Sequence, residues 1–104
     1  MTDQQFLRYV GPPILHDASI VAVRSVESTI EVELRSQEGL KFIVRFDNAR
    51  VLSSVSPEGM LVYSLSELRT DPPLRRFSFA NSEESAKSEL EIEAQDFQVL
   101  QLGS

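Results

Sequence analysis

The sequence contains no cysteine, no tryptophan and a single histidine, His16. Without cysteine no disulfide holds the fold, and no thiolate is at hand as nucleophile, zinc ligand or redox sensor. None of the serines sits in a Gly-x-Ser-x-Gly elbow, and a serine triad would have to recruit the one histidine. The four glycines form no phosphate-cradling loop. Also absent are a basic N-terminus followed by an apolar stretch and any apolar run long enough to span a bilayer, so no membrane association and a cytoplasmic location are expected. Basic residues are outnumbered, with 10 Lys and Arg against 16 acids and a net charge of −6. Such a balance argues against a nucleic-acid partner held by counterion release from phosphates.

What remains is ordinary globular composition, 41% hydrophobic and 25% charged over 104 residues. A chain of this size buries roughly two-thirds of its unfolded surface around one core, so residues 1–104 are expected to form a single domain. At the N-terminus, Thr2-Asp3-Gln4-Gln5 has capping-box spacing and Phe6 and Val10 fall on one helical face, which predicts a short helix. Gly11-Pro12-Pro13 ends it, because proline removes backbone donors and forces the preceding residue out of the α region. Residues 1–13 are therefore read as helix and Pro-rich entry, and 14–102 as a β core.

β-branched residues dominate Ser19 to Val26. Ile30, Val32 and Leu34 then alternate with Glu31, Glu33 and Arg35, and Phe42, Val44 and Phe46 alternate likewise after Gln37-Glu38-Gly39. A three-residue hairpin loop ending in a left-handed glycine sets Leu34 opposite Phe42, Val32 opposite Val44 and Ile30 opposite Phe46. The same register, with a tight turn at Glu27-Ser28, aligns Arg24, Glu31 and Arg45 across three strands. Val51–Val55 reads as a strand and Ser56-Pro57-Glu58-Gly59 as a turn. Residues 60–68 fit strand through Leu61, Tyr63 and Leu65 and helix through Leu61, Leu65 and Leu68; Val62 and Tyr63 favour the strand. Arg69-Thr70-Asp71-Pro72-Pro73 and Asn81 to Ser88 read as loops. Leu74–Ala80 and Glu89–Ala94 read as strands, and Phe97 and Val99 join the face of Leu90 and Ile92 only if one residue is absorbed by a bulge. The expected fold is mainly β: a single antiparallel meander of about six or seven strands forming a bent sheet, a small sandwich or a partly open barrel.

Two sets of residues invite a functional reading. His16-Asp17 precedes the first long strand, where it can fix the chain's entry into that strand, mark one end of a binding surface, or form part of a small-ligand or metal site. A lone imidazole gives a weak metal site unless other ligands converge, and no cofactor is expected. Glu31 and Glu33 on one strand and Glu89, Glu91 and Glu93 on another form rows of solvated carboxylates. If neighbours, they would make an acidic patch suited to the Arg and Lys of a protein partner. Catalytic acid–base pairs need environments that separate their pKa values, which alternating solvated positions do not supply, so no enzyme is expected.

The stretch Ile14-Leu15-His16-Asp17-Ala18-Ser19-Ile20 resembles small uncharacterised bacterial β proteins that open with a His-Asp-Ala or His-Asp-Ser step before their first strand. The likeness extends loosely through the Gly39 hairpin, Phe77-Ser78-Phe79-Ala80-Asn81 and Leu90-Glu91-Ile92-Glu93-Ala94. Some similar families are grouped with toxin-immunity proteins. The resemblance implies a bacterial binding protein presenting acidic surface to a basic partner, and it brings no catalytic residue with it. The alternatives are the ligand site at His16 and Asp17, or a domain whose partner is a second copy of itself.

Overall fold

The computed structural model describes residues 6–10, 16–55, 57–70, 74–81 and 89–103, and among them it contains nine strands and no helix. These are β1 (Phe6–Tyr9), β2 (Ala18–Val26), β3 (Thr29–Arg35), β4 (Lys41–Asp47), β5 (Arg50–Val55), β6 (Leu61–Leu68), β7 (Arg75–Asn81), β8 (Glu89–Ala94) and β9 (Asp96–Gly103). All pairings between them are antiparallel.

Short loops set the local register. Gly39 has φ 87° and its N–H donates to the Ser36 carbonyl at 3.0 Å, which closes β3 on β4 with Leu34 opposite Phe42, Val32 opposite Val44 and Ile30 opposite Phe46. The Glu27-Ser28 turn aligns Arg24 with Glu31, and Arg45 lies across from Glu31 on the other side. Gly59, with φ 92°, turns the chain into β6, where the Met60 N–H donates to the Pro57 carbonyl at 3.1 Å.

Long-range pairing differs from a meander. The ladder runs β5-β8-β7-β6-β2-β3-β4-β9, with β1 on β6. β4 runs into β5 through Asn48, at φ 47°, and β8 runs into β9 through Gln95. Asp47 pairs with Asp96 and Arg50 with Glu93, so one register carries through both bends. The Asn48 amide donates to Gln95 at 2.5 Å and the Gln95 N–H to the Asp47 carbonyl at 3.0 Å. The two ends of the ladder are thus halves of the same pair of bent strands, and the sheet curls back around the core. Each bent segment supplies two strands, which accounts for much of the excess over the expected six or seven.

The curl has two antiparallel halves, β2-β3-β4-β9 and β5-β8-β7-β6-β1, joined at these bends and along a thin β2/β6 seam. That seam carries two residue pairs, Ala18–Val62 and Ser19–Leu61, reinforced by bonds from the Asp17 N–H to the Val62 carbonyl at 2.7 Å and the Gly59 N–H to the Ile20 carbonyl at 2.7 Å.

The expected N-terminal helix is not formed over Phe6–Tyr9, which is β1 instead; its capping box at 2–5 lies outside the described residues, as do 11–15, 71–73 and 82–88. A one- or two-turn helix is marginal in water. The edge of β6 offers unpaired backbone groups to an extended segment, and Val10 gains packing against the core while donating to the Leu65 carbonyl at 2.9 Å.

In β6 a bulge between Val62 and Ser64 shifts the alternation. Val62 and Leu65 are buried, whereas Leu61 faces out, contrary to the grouping of Leu61 with Leu65; the Tyr63 side chain is outside the described ones. The phase break after Ala94 falls at the Gln95 bend, and Phe97 and Val99 pack against the core on the far side. Phe46 is fully buried, with ring centroids of Phe77, Phe79 and Phe97 at 5.3, 6.1 and 6.3 Å. Each such buried side chain contributes about 1.5–3 kcal/mol.

Candidate binding surfaces

His16 and Asp17 stand at the entrance to β2. Asp17 has φ 64°, a left-handed conformation that Asp tolerates better than most residues, and this geometry aims its N–H at the Val62 carbonyl across the seam. The two side chains lie 3.5 Å apart and are 56% and 38% exposed. Among the described residues no third His, Cys, Asp or Glu joins them in a cluster able to hold a metal ion. The step serves the seam through its backbone and presents its side chains to solvent.

The two carboxylate rows do not meet. β3 is flanked by β2 and β4, and β8 by β5 and β7, so the condition for one continuous acidic patch fails. Each row is instead interleaved with arginine. The Arg24 guanidinium donates to Glu33 at 2.6 Å, Arg50 to Glu93 at 2.8 Å, and Arg76 to Glu91 at 2.8 and 2.6 Å. The Arg24 hydrogen bond holds the Glu33 carboxyl below its ordinary range against the opposing effect of desolvation. The Glu89 side chain is outside the described ones. Glu31 and Arg45, with Val26, Glu27 and Thr29, line an open depression of about 380 Å³. Arg45 also approaches Asp47 at 3.7 Å, so this hollow is of mixed charge. Exposed pairs of this kind contribute about 0.2–1 kcal/mol each.

A charged cluster that pattern reading passed over closes one end of the core. Arg75 shares a face of β7 with Phe77 and Phe79, and its guanidinium lies 5.2 Å from the Phe77 ring centre and 5.3 Å from that of Phe97. It donates twice to Glu67, at 2.9 and 3.0 Å, and once to Asp96 at 3.3 Å. Glu67 is only 5% exposed. The Arg75 hydrogen bonds outweigh desolvation and lower the Glu67 carboxyl below its ordinary range, while the same pairing raises Arg75. Arg8 of β1 reaches Glu67 at 3.5 Å. The buried carboxylate is thus held by two arginines on two neighbouring strands. The sequence carried a signal for it: Arg75 falls in phase with Phe77 and Phe79, a cation on an apolar face.

The remaining feature is an edge. β5 pairs with β8 on one side and, among the described residues, with no strand on the other. Five of its six residues are exposed, including Val51 at 40%, Leu52 at 40% and Val55 at 45%. Edges in folded proteins are normally blunted by charge or proline; β5 opens with the charged Arg50, and Val51 to Val55 adds neither charge nor proline after it. The other ladder end, β9, likewise opens with a charged residue, Asp96, and exposes Leu100 and Leu102.

Comparison with family models, curated proteins and solved structures finds no match.

Proposed function

We propose that this chain is a non-enzymatic protein-binding module that takes an extended strand of a partner protein along the outer edge of β5. The observation that carries the reading is the exposure of Val51, Leu52 and Val55 on a strand that, among the described residues, pairs with a neighbour on one side only. Strand addition draws affinity from main-chain hydrogen bonds and specificity from alternate side chains, both of which β5 offers. The net charge of −6 favours encounter with a basic partner, in keeping with the resemblance to small bacterial β proteins, some similar families of which are grouped with toxin-immunity proteins. The arginine-paired carboxylate rows, including Glu33, Glu91 and Glu93, are rim decoration in this reading rather than its centre, and His16 and Asp17 support the seam.

A photo-crosslinking residue placed at Leu52 in cells tests it. Covalent capture of a discrete protein at Leu52, absent from the same probe at Glu38 and lost when Val51→Lys is added, is the expected outcome. Equal capture at both positions, or capture indifferent to Val51→Lys in a protein whose circular dichroism is unchanged, would defeat the reading.

A further inference from the structure

Glu31 stands between two arginines and pairs with neither. Arg24 of β2 and Arg45 of β4 are its direct cross-strand partners, the positions from which opposite charges ordinarily meet on a sheet. The Arg24 guanidinium is taken instead by Glu33 at 2.6 Å, and Arg45 leans toward Asp47 at 3.7 Å, too far for a hydrogen bond. Among the described residues neither Glu31 nor Glu27 has a side-chain ion pair or hydrogen bond. The opened rung lies in the depression of about 380 Å³, which Glu27, Glu31, Arg45, Thr29 and Val26 line together. A guanidinium and two carboxylates thus share one hollow without satisfying one another. Glu27 also holds φ 56°, in the left-handed region where glycine sits unstrained. A carboxylate is kept there at a conformational cost, and such outliers gather at ligand sites.

We propose that this hollow binds a free basic α-amino acid, of which lysine is the simplest. The charges match one for one. Arg45 receives the α-carboxylate, for which a planar guanidinium is suited, while Glu27 and Glu31 receive the α-ammonium and the side-chain cation. The Thr29 hydroxyl adds a group that both donates and accepts, and Val26, 67% exposed, offers apolar surface to the methylene stem. A neutral amino acid leaves one of the two carboxylates without a cation, and a diamine leaves Arg45 without an anion, so the arrangement discriminates against both. The net charge of −6 draws a ligand of net positive charge toward the surface.

Titration of the isotopically labelled full chain with L-lysine, followed by amide NMR, tests the proposal. The expected result is saturable shifts centred on residues 26–31 and 45, complete below about 10 mM ligand. Glu31→Gln and Arg45→Gln, both on the outer face of the sheet, should each weaken binding at least about tenfold. Cadaverine, which lacks the carboxylate, and Nα-acetyl-lysine methylamide, which keeps only the side-chain cation, should bind at least about tenfold more weakly than lysine. Glu27→Gly should weaken binding while raising the denaturant midpoint, which separates loss of a ligand contact from damage to the fold. A wild-type chain without saturable shifts overturns the proposal. So does equal binding of cadaverine or of the blocked lysine, which would mean general attraction of cations to an acidic surface, and so does unchanged affinity in Glu31→Gln. Val51→Lys should leave the lysine titration unaltered, so failure here and failure of the β5 reading are separable.

Discussion

Glu67 is the residue where burial and charge meet most sharply. Its carboxyl is lowered from an ordinary value of 4.5 by the Arg75 hydrogen bonds. A group whose folded pKa lies below its unfolded one stabilises the fold above the unfolded value, and that contribution is lost as pH falls through the folded value. Glu67→Gln is therefore expected to cost about 1–3 kcal/mol at pH 7, since it weakens charge-assisted bonds at a buried site. Urea titrations should show the gap to wild type narrowing once the pH drops below 4.5, and a gap independent of pH would assign the loss to packing. Glu27 makes the opposite case. It opens a two-residue turn at φ 56°, a position where II′ turns prefer glycine. Glu27→Gly should raise stability by up to about 1 kcal/mol, the relief of left-handed strain less the added freedom of the unfolded chain, read from the shift in denaturant midpoint. Asn48, at φ 47°, already has the residue type its corner asks for.

At the scale of elements, local closure was readable and distant pairing was not. Leu34–Phe42 and Arg24–Glu31–Arg45 followed from loop length and alternation, because a short loop leaves one register that buries the apolar face. The pairing of β4 with β9 and of β5 with β8 involves no short loop, and nothing local in Val51–Val55 says which strand it joins. Phe6–Val10 fits helical and extended backbone alike as an isolated string, and only the presence of an open β6 edge decides between them. The bulges at Val21 and Tyr63 escaped for the same reason, since they reconcile a strand's own pattern with two neighbours at once. The Arg75–Glu67 pair was half legible: Arg75 announced itself by phase, but its partner becomes visible only once the shifted alternation of β6 turns Glu67 inward. These differences in anchoring should be measurable. Native-state hydrogen exchange is expected to show β1 and β5 amides opening at lower free energy than those of β3 and β4, which are paired on both sides. Uniform protection across all four strands would show that the edges are covered.

Across the whole molecule, the core joins two halves that contribute unequal kinds of contact. Ile30, Val32, Leu34, Phe42, Val44 and Phe46 come from one hairpin, while Phe77, Phe79, Leu90 and Ile92 come from the other half, with Phe77 and Phe79 against the Phe46 ring. The bent strands that close the curl bring Asp47 against Asp96 and Arg50 against Glu93, positions far apart in the chain. Order of assembly follows from that separation. Hairpins form in about 1–10 μs, whereas folds dominated by non-local strand pairing complete in milliseconds to seconds, because loop-closure entropy is spent before the distant contacts form. The β3–β4 hairpin should be in place at the rate-limiting barrier and the β4/β9 closure should follow it. In stopped-flow chevrons, Val32→Ala is expected to slow folding, while Phe97→Ala chiefly hastens unfolding. The bend at Asn48 and Gln95 is then a latch in time as well as space: it closes after the hairpin on folding, and its opening is expected to come early on unfolding.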